Sequence, residues 1–180
     1  MQPPRNIETS RLKLRPPLIE DAEPIFNRYA QDALVTRYLT WRPHTSILET
    51  QDFLRKCISS WANGSAFPWV LLRKQDEQLI GMAQIQIDRF KANIGYVLAR
   101  SEWGKGYMPE AAKALLDWAM NRREIYRVWA VCDVENTASA RVLEKIGMKR
   151  EGTLSRWIIH PNVSDEPRDC YCYALVKQTA

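Results

Sequence analysis

Residues 93–120 (NIGYVLARSEWGKGYMPEAAKALLDWAM) place a strand, a two-glycine turn and a helix directly after one another. The apolar run 94–99 predicts a strand, and the apolar spacing after Gly106 predicts a helix over 107–121. The first N–H groups of a helix lack intrahelical partners, and with the helix dipole they form a site for an anion. Glycines let the backbone approach oxygen atoms closely and adopt positive φ. This stretch therefore indicates an α/β fold with a candidate phosphate site at the turn.

The spacing of the glycines excludes two common phosphate motifs. No Walker sequence GxxxxGK[ST] is present, and the third position of a GxGxxG dinucleotide fingerprint is occupied by Pro109. A proline is tolerated in the first turn of a helix because its missing N–H is not needed there. On spacing alone, a plain strand-to-helix connection fits equally well. Donors to a phosphate would come from Gly104, Lys105, Gly106, Tyr107 and Met108.

The remaining periodicity predicts one mixed sheet. The order β-α-α-β-β-β-α-β-α-β-β indicates an α/β fold with a mostly antiparallel central sheet flanked by about four helices, in one domain of residues 1–180. The strand at 11–16 is predicted at the sheet edge because it ends at two prolines. Gly64 and Gly147 are predicted to end helices. Predicted helices cover 19–30, 47–62, 107–121 and 137–146, and strands cover 11–16, 66–73, 79–88, 93–99, 127–134, 148–159 and 169–177.

Composition narrows the classes of partner. The formal charge of +5 favours an anionic partner, but no basic run exceeds Arg122-Arg123, which suits a small anion better than nucleic acid. No apolar run approaches 18 residues and no signal-like start is visible, so we expect no membrane segment and a cytoplasmic location. The four cysteines form no CxxC pair, which favours reduced thiols and no metal site.

The order of the motifs resembles the GNAT N-acetyltransferase superfamily. The residues that carry the resemblance are WGKGYMPEA, preceded by IGYVL and followed by NTASARVLEKIGMKREG. Within the superfamily the chain is most similar to the Rim-type branch, which includes acetyltransferases of ribosomal-protein N-termini. The resemblance extends from ETSRLKLRP to YALVK, nearly the whole chain. It implies that the glycine turn holds the pyrophosphate of acetyl-CoA, with no metal.

The resemblance also implies a set of cofactor contacts. The family's loop Q/R-x-x-G-x-G/A corresponds to residues 103–108, where Gly106 is kept while Trp103 and Met108 depart from the pattern. Because backbone N–H groups bind the pyrophosphate, neither departure excludes binding. Main-chain groups of Val97 and Leu98 are expected to contact the pantetheine arm.

The family pattern N-x-x-S implies further contacts. It places Asn136 on the cofactor arm and Ser139 near its sulfur, and Lys145 is a candidate for the 3′-phosphate. From the residues alone, Asn136 is expected as the N-cap of the helix at 137–146, with Ser139 in its first turn, and a capping residue can also face the cleft.

The implied reaction is acetyl transfer from acetyl-CoA to a primary amine by direct attack, through a tetrahedral intermediate. The oxyanion needs donors, for which Val97 or Leu98 N–H are candidates, and the leaving thiolate needs a proton. Ser139, with Asn136, is the candidate catalytic residue for the thiolate. The base stays open, and a water relay is one alternative.

The sequence offers Glu110, His44 and His160 as candidates for the base. The family's carboxylate position before IGY is Asn93 here, and Glu110 is interpreted as a surface group favoured by the helix dipole. His44 and His160 each lie beside a proline in an expected loop.

The sequence leaves several classes of acceptor open. Trp41, Tyr96 and Trp157 are candidates to bind it, and the branch suggests a protein N-terminal α-amine. A small amine or an aminoglycoside is an alternative acceptor. A non-catalytic CoA-binding regulatory module and a nucleic-acid binder are alternatives of other classes, and the chain is expected to be a monomer or a homodimer.

Overall fold

A computed structural model describes residues 2–178, which form a single mixed sheet of eight strands in the order β1-β2-β3-β4-β5-β6-β8-β7. Only β5 and β6 pair in parallel; every other neighbouring pair in this described part is antiparallel. The predicted fold class is therefore confirmed. The strands are β1 (Ile7–Glu8), β2 (Leu12–Arg15), β3 (Phe67–Arg73), β4 (Gln78–Asp88), β5 (Lys91–Leu98), β6 (Arg127–Asp133), β7 (Lys149–Ile159) and β8 (Pro167–Val176).

Five α-helices flank the sheet in the described residues. A 3₁₀ turn precedes the first of them and a π-helical turn, Phe26–Ala30, continues it. Gly64 (φ 74°) follows the third helix in the left-handed conformation, and Gly147 (φ 91°) lies just beyond the fifth, as predicted for both. The helices are α1 (Ala22–Ile25), α2 (Ala33–Thr36), α3 (Ile47–Asn63), α4 (Tyr107–Met120) and α5 (Thr137–Lys145).

Two short elements were not predicted. The strand at 11–16 was placed at the sheet edge, but β1 pairs with its outer side through Ile7 and Leu14. The edge prediction was therefore wrong. Two residues in β1 and four in α2 are too few to show a hydrophobic period, which explains why neither was found.

The apolar side chains pack on both faces of the sheet. Alternation along β3 sends Trp69 and Leu71 to a core that includes Leu115 of α4. The intervening Val70 joins a second core with Leu54 of α3. Within residues 2–178, no helix is both long and apolar enough to span a membrane.

A fork between β5 and β6 is the feature that positions the candidate site. The two strands pair only where residues 91–93 lie beside 127–129, and beyond that point they diverge. Asn93 lies where they separate, and its side-chain amide donates to the Trp129 carbonyl (3.3 Å). Because the strands are parallel, their carboxyl ends lie at the same end of the fork. The glycine turn and the start of α5 follow these ends.

Candidate active site

A cleft of about 790 Å³ occupies the fork and continues from the glycine turn to the N-terminal helices. It brings together most of the residues predicted for the site. Three predicted residues, Lys105, Tyr107 and Trp157, are not among the described residues that line it. The predicted residues that do line it are Trp41, Tyr96, Val97, Leu98, Trp103, Gly104, Gly106, Met108, Asn136, Ser139 and Lys145.

The glycine turn has the geometry of an anion site. Gly104 (φ 76°) and Gly106 (φ 81°) both adopt left-handed conformations, and a Cβ on Gly104 would have no atom within 4 Å. In residues 2–178, nothing accepts a hydrogen bond from the backbone N–H groups of 104–108. The side chain of Met108 is buried in the core, so this departure from the family pattern does not obstruct the turn. These free N–H groups fit a phosphate.

Ionic and hydrogen-bonding contacts hold the glycine turn against neighbouring parts of the chain. The buried carboxylate of Glu102 accepts from Arg73 Nη1 (2.9 Å) and from Lys105 Nζ (3.2 Å). Arg11 donates to the Lys105 carbonyl (2.9 Å) and lies over the Tyr107 ring, 4.5 Å from its centroid. Lys105 and Tyr107 therefore hold the turn in place through contacts with Glu102 and Arg11.

Glu110 anchors the same turn to the N-terminal hairpin. Its carboxylate accepts from Thr9 Oγ1 (2.6 Å), from Arg11 N (2.8 Å) and from Arg11 Nε (2.7 Å). Burial raises the pKa of Glu110, but these hydrogen bonds outweigh it and leave the pKa below its ordinary value. The interpretation of Glu110 as a surface group was wrong, because it bonds residues 99 to 101 positions earlier.

The pairing of β5 decides which main-chain groups face the fork. Ala99 N–H donates to the Ile80 carbonyl (2.8 Å), toward β4. Main-chain directions alternate along an antiparallel strand, so Val97 also points toward β4 while Tyr96 and Leu98 point toward the cleft. The Leu98 carbonyl accepts from Trp103 Nε1 (2.9 Å), consistent with this direction. Of the two predicted positions, the geometry favours Leu98 over Val97, and it adds Tyr96.

Asn136 caps α5, as the residues alone predicted. Its Oδ1 accepts from Ser139 N (3.1 Å). Ser139 Oγ in turn lies 2.9 Å from the Tyr96 hydroxyl, across the fork. Burial raises the pKa of Tyr96, so its phenol stays protonated and can donate. The contact between Tyr96 and Ser139 was not predicted.

Replacing Asn136 by alanine is expected to lower the free energy of unfolding by about 1 kcal/mol, because the cap hydrogen bond to Ser139 N is lost. Urea denaturation measures this change. Thr137→Ala is the matched control, since its exposed side chain makes no hydrogen bond within the described residues. Equal stability of both variants would contradict a capping role.

Two cations on α5 border the cleft. Arg141 and Lys145 are four residues apart, so they share one helix face. Both are exposed, and neither forms an ion pair with any residue in 2–178. Arg141 was not predicted, although its spacing from Lys145 is visible in the sequence. Together they fit a second anionic group.

Aromatic side chains enclose the other end of the cleft, which we call the acceptor end. Trp41 packs against His44 (ring centroids 4.7 Å apart) and Phe53 (6.1 Å). His44 Nδ1 lies 2.7 Å from Thr50 Oγ1, and burial lowers the pKa of His44. Asn162 donates to the Trp41 carbonyl (2.8 Å), which ties the loop after β7 to this wall.

Trp157 lies apart from the acceptor end. Its side chain is half exposed on β7, an edge strand of the sheet. The pairing of β7 with β8 is irregular between Leu154 and Ile158, and Arg156 has a positive φ of 47°. Such an irregularity changes which face of the sheet a side chain occupies, and a sequence pattern does not reveal it.

A buried histidine and carboxylate meet beside the start of α5. Asp133, the last residue of β6, is fully buried and accepts from Arg168 Nε (2.6 Å) and Nη2 (3.2 Å). His160 is 4% exposed, and its Nε2 lies 3.8 Å from Asp133 Oδ2. Both residues line the cleft. His160 follows directly after β7, in the loop where it was predicted, but its side chain is buried. Asp133 was not predicted as a site residue.

The charges of this pair follow from its surroundings. Burial raises the pKa of Asp133, but the Arg168 hydrogen bonds outweigh it, so the pKa lies below the ordinary value. Burial lowers the pKa of His160, more than the Asp133 carboxylate and the Leu39 main chain raise it. At neutral pH, Asp133 is therefore ionised and His160 is neutral.

A forked sheet, a glycine turn with free N–H groups and a helix cap at the gap are together the arrangement that the resemblance to the GNAT N-acetyltransferases implied. The chain belongs to the GNAT acetyltransferase family, because the model of the acetyltransferase (GNAT) domain matches residues 11–149.

Curated relatives match over nearly the full chain. The uncharacterized N-acetyltransferase YnaD of Bacillus subtilis is 32% identical over 96% of this chain and 98% of its own length. The uncharacterized N-acetyltransferase p20 of Bacillus licheniformis is 29% identical, over 94% of this chain and 95% of its own. The enzyme class is therefore that of an N-acetyltransferase.

A solved structure agrees with the Rim-type branch. A Vibrio cholerae protein, provisionally named a ribosomal-protein-serine acetyltransferase, superimposes with a TM-score of 0.85 at 26% identity. The match covers 98% of this chain and all of that one.

Proposed function

We propose that the protein transfers the acetyl group of acetyl-CoA to a primary amine, and that its preferred acceptor is the N-terminal α-amine of a peptide. One observation carries the proposal: a single cleft joins the glycine turn to the aromatic acceptor end and passes the Tyr96–Ser139 contact on the way. Donor and acceptor can therefore meet at the fork.

The residues present fit acetyl-CoA. The backbone N–H groups of 104–108 would bind the pyrophosphate, and Arg141 with Lys145 would bind the 3′-phosphate. Main-chain groups of Tyr96 and Leu98 would bind the pantetheine arm and donate to the oxyanion. Asn136 would cap α5 and border the arm.

Ser139 is proposed as the proton donor to the departing thiolate. The protonated Tyr96 phenol lies 2.9 Å from Ser139 Oγ and can donate to it. That hydrogen bond leaves the serine hydroxyl hydrogen free to point at the sulfur. The pair therefore supplies a positioned donor where negative charge develops.

The charges at the cleft favour an acceptor with one amine over a polycation. Three carboxylates line the cleft, and each is paired with a basic side chain: Glu102 with Arg73, and both Asp133 and Glu135 with Arg168. Asp133 and Glu135 share the single positive charge of Arg168, so only one negative charge, on the exposed Glu135, is left for an ammonium group. A polyamine or an aminoglycoside, which carries several positive charges, is therefore disfavoured.

An acceptor panel tests the proposal. The protein and acetyl-CoA are incubated with peptides of varied first residue, with spermidine and with an aminoglycoside, and products are identified by mass spectrometry. We expect N-terminal acetylation of peptides and little product from the polycations. The matched control is each peptide with a blocked N-terminus and a free lysine, which should stay unmodified.

Other outcomes would overturn parts of the proposal. Faster acetylation of spermidine than of any peptide would show that the acceptor is a polyamine. The proposed acetyltransferase activity would still stand. CoA binding without turnover of any amine would favour the non-catalytic CoA-binding module.

We further propose that residues 1–180 act as one domain in the cytoplasm, as a monomer or a homodimer. Residues 1, 179 and 180 lie outside the described structure. The four cysteines are free thiols, which agrees with a reducing compartment.

A further inference from the structure

Two buried polar atoms in residues 2–178 have no hydrogen-bond partner, and both belong to the cleft wall. They are the Tyr29 hydroxyl and His160 Nδ1. Buried polar side-chain atoms are normally paired, and an unpaired one marks a place for water, a ligand or a catalytic function. Both residues line the cleft, so these two atoms are candidates to bind a polar group that enters it.

His160 differs from the other histidine in what its ring contacts. His44 has a hydrogen-bond partner in Thr50, whereas His160 Nδ1 has none among the described residues. The opposite nitrogen of His160, Nε2, lies toward the Asp133 carboxylate at 3.8 Å. A carboxylate beside one ring nitrogen favours the tautomer that leaves the other nitrogen bare. His160 therefore presents an acceptor for a proton.

Asp133 and His160 lie at the end of β6, one of the two strands that form the fork. Asp133 ends β6, and its main-chain carbonyl accepts from Asn136 N–H (2.9 Å), the cap of α5. The pair is thus joined to the turn that carries Ser139, while His160 comes from the loop that Asn162 ties to the Trp41 wall. His160 is therefore linked through Asp133 to the helix of the proposed thiolate donor and through its own loop to the acceptor end.

We propose that His160 is the general base that removes a proton from the acceptor amine, with Asp133 as the residue that positions its ring. The proposal rests on the proposed acetyl transfer. The amine nitrogen forms a bond to the acetyl carbon, and His160 Nδ1 takes a proton from that nitrogen, directly or through one water molecule. The carbonyl of the tetrahedral intermediate then re-forms as the C–S bond breaks, and the departing thiolate takes the Ser139 hydroxyl proton. Ser139 regains a proton from Tyr96 and Tyr96 takes one from solvent, while His160 releases its proton to solvent.

The charged and titratable groups around the ring are compatible with this role. Asp133 faces it from β6, Arg168 and Cys170 from β8, and Tyr38 from the segment after α2, with ring centroids 6.1 Å apart. Arg168 pairs with Asp133 and also contacts the exposed carboxylate of Glu135, so the negative charge next to the ring is only partly compensated. Burial outweighs this charge and lowers the pKa of His160, so the imidazole is neutral in the resting enzyme and can accept a proton at neutral pH.

The test compares His160→Gln with the wild type in the pH dependence of kcat/KM on a peptide acceptor. In the wild type both the amine and His160 must be deprotonated, so we expect the logarithmic slope to rise from one to two below the pKa of His160. His160→Gln should lose at least about 100-fold in kcat at neutral pH. It should also retain a slope of one from the amine alone, with an unchanged Kd for CoA.

An independent measurement shows whether His160 is the group whose ionisation changes the slope of the pH profile. The chain has two histidines, so His44→Gln leaves a single imidazole signal in the proton NMR spectrum, and its titration gives the pKa of His160 directly. That value should equal the pKa at which the wild-type slope changes. Addition of imidazole to His160→Ala should restore part of the lost rate, because the vacated volume can admit it.

The outcomes separate this inference from the proposed function. A wild-type enzyme that acetylates peptides, together with a folded His160→Gln of equal kcat and an unchanged pH slope, would refute the base and keep the transferase. A wild-type enzyme without turnover would refute both. A His160→Gln that lost CoA binding along with kcat, with no rescue of His160→Ala by imidazole, would make the residue structural and overturn the inference.

Discussion

Gly106→Val is expected to raise the Kd for acetyl-CoA at least about 100-fold. Gly106 has a φ of 81°, which a β-branched residue does not adopt without strain. Valine therefore forces the turn to relax, and relaxation redirects the N–H groups that would bind the pyrophosphate. Losing two hydrogen bonds to a charged group costs about 3 kcal/mol, equivalent to about a hundredfold in Kd.

Isothermal titration with CoA measures this effect. The matched control is Gly152→Val on β7, where a Cβ would meet no atom within 4 Å, φ is not positive and the residue does not line the cleft. The control should bind CoA as the wild type does. Near-UV circular dichroism of Gly106→Val checks that the core is intact. Tight binding by a folded Gly106→Val would show that the phosphates bind elsewhere.

Long periodic segments made most of the fold predictable. The alternation in β4 covers residues 83–88 and the apolar spacing of α4 extends over 14 residues, so their type follows from the pattern alone. The short β1 and α2 give no such pattern. The edge assignment of β2 failed for the same reason, because its outer neighbour is only two residues long.

The parts of the site whose residues lie close together in the sequence could be predicted. The glycine turn and the Asn136 cap each lie within a few residues, and the structure has both in the expected geometry. Contacts across the fork were not predictable in this way. Tyr96 and Ser139 are 43 residues apart, and Arg11 meets Glu110 across 99 residues. Periodicity carries no information about such pairs, since they depend on how the strands are ordered in the sheet.

Tyr96→Phe and Ser139→Ala are each expected to lower kcat about 100-fold, while the Kd for CoA changes by less than about tenfold. The reason is that the Ser139 proton matters when negative charge develops on sulfur, which happens in the transition state. A hydrogen bond that only positions the cofactor would instead weaken binding, by about 1 kcal/mol. Steady-state kinetics together with CoA titration separates the two effects, provided that chemistry limits turnover.

The double variant Tyr96→Phe/Ser139→Ala decides whether the two hydroxyls act as one unit. If Tyr96 serves only to orient the Ser139 hydroxyl, removing both should cost about as much as removing Ser139 alone, because an absent serine cannot be misoriented. Independent roles predict that the two losses multiply, to about 10⁴-fold. Tyr171→Phe is a suitable control, since its hydroxyl makes no hydrogen bond in the described residues and Tyr171 does not line the cleft. A multiplied loss would place Tyr96 in contact with the reacting groups themselves, through its own hydroxyl.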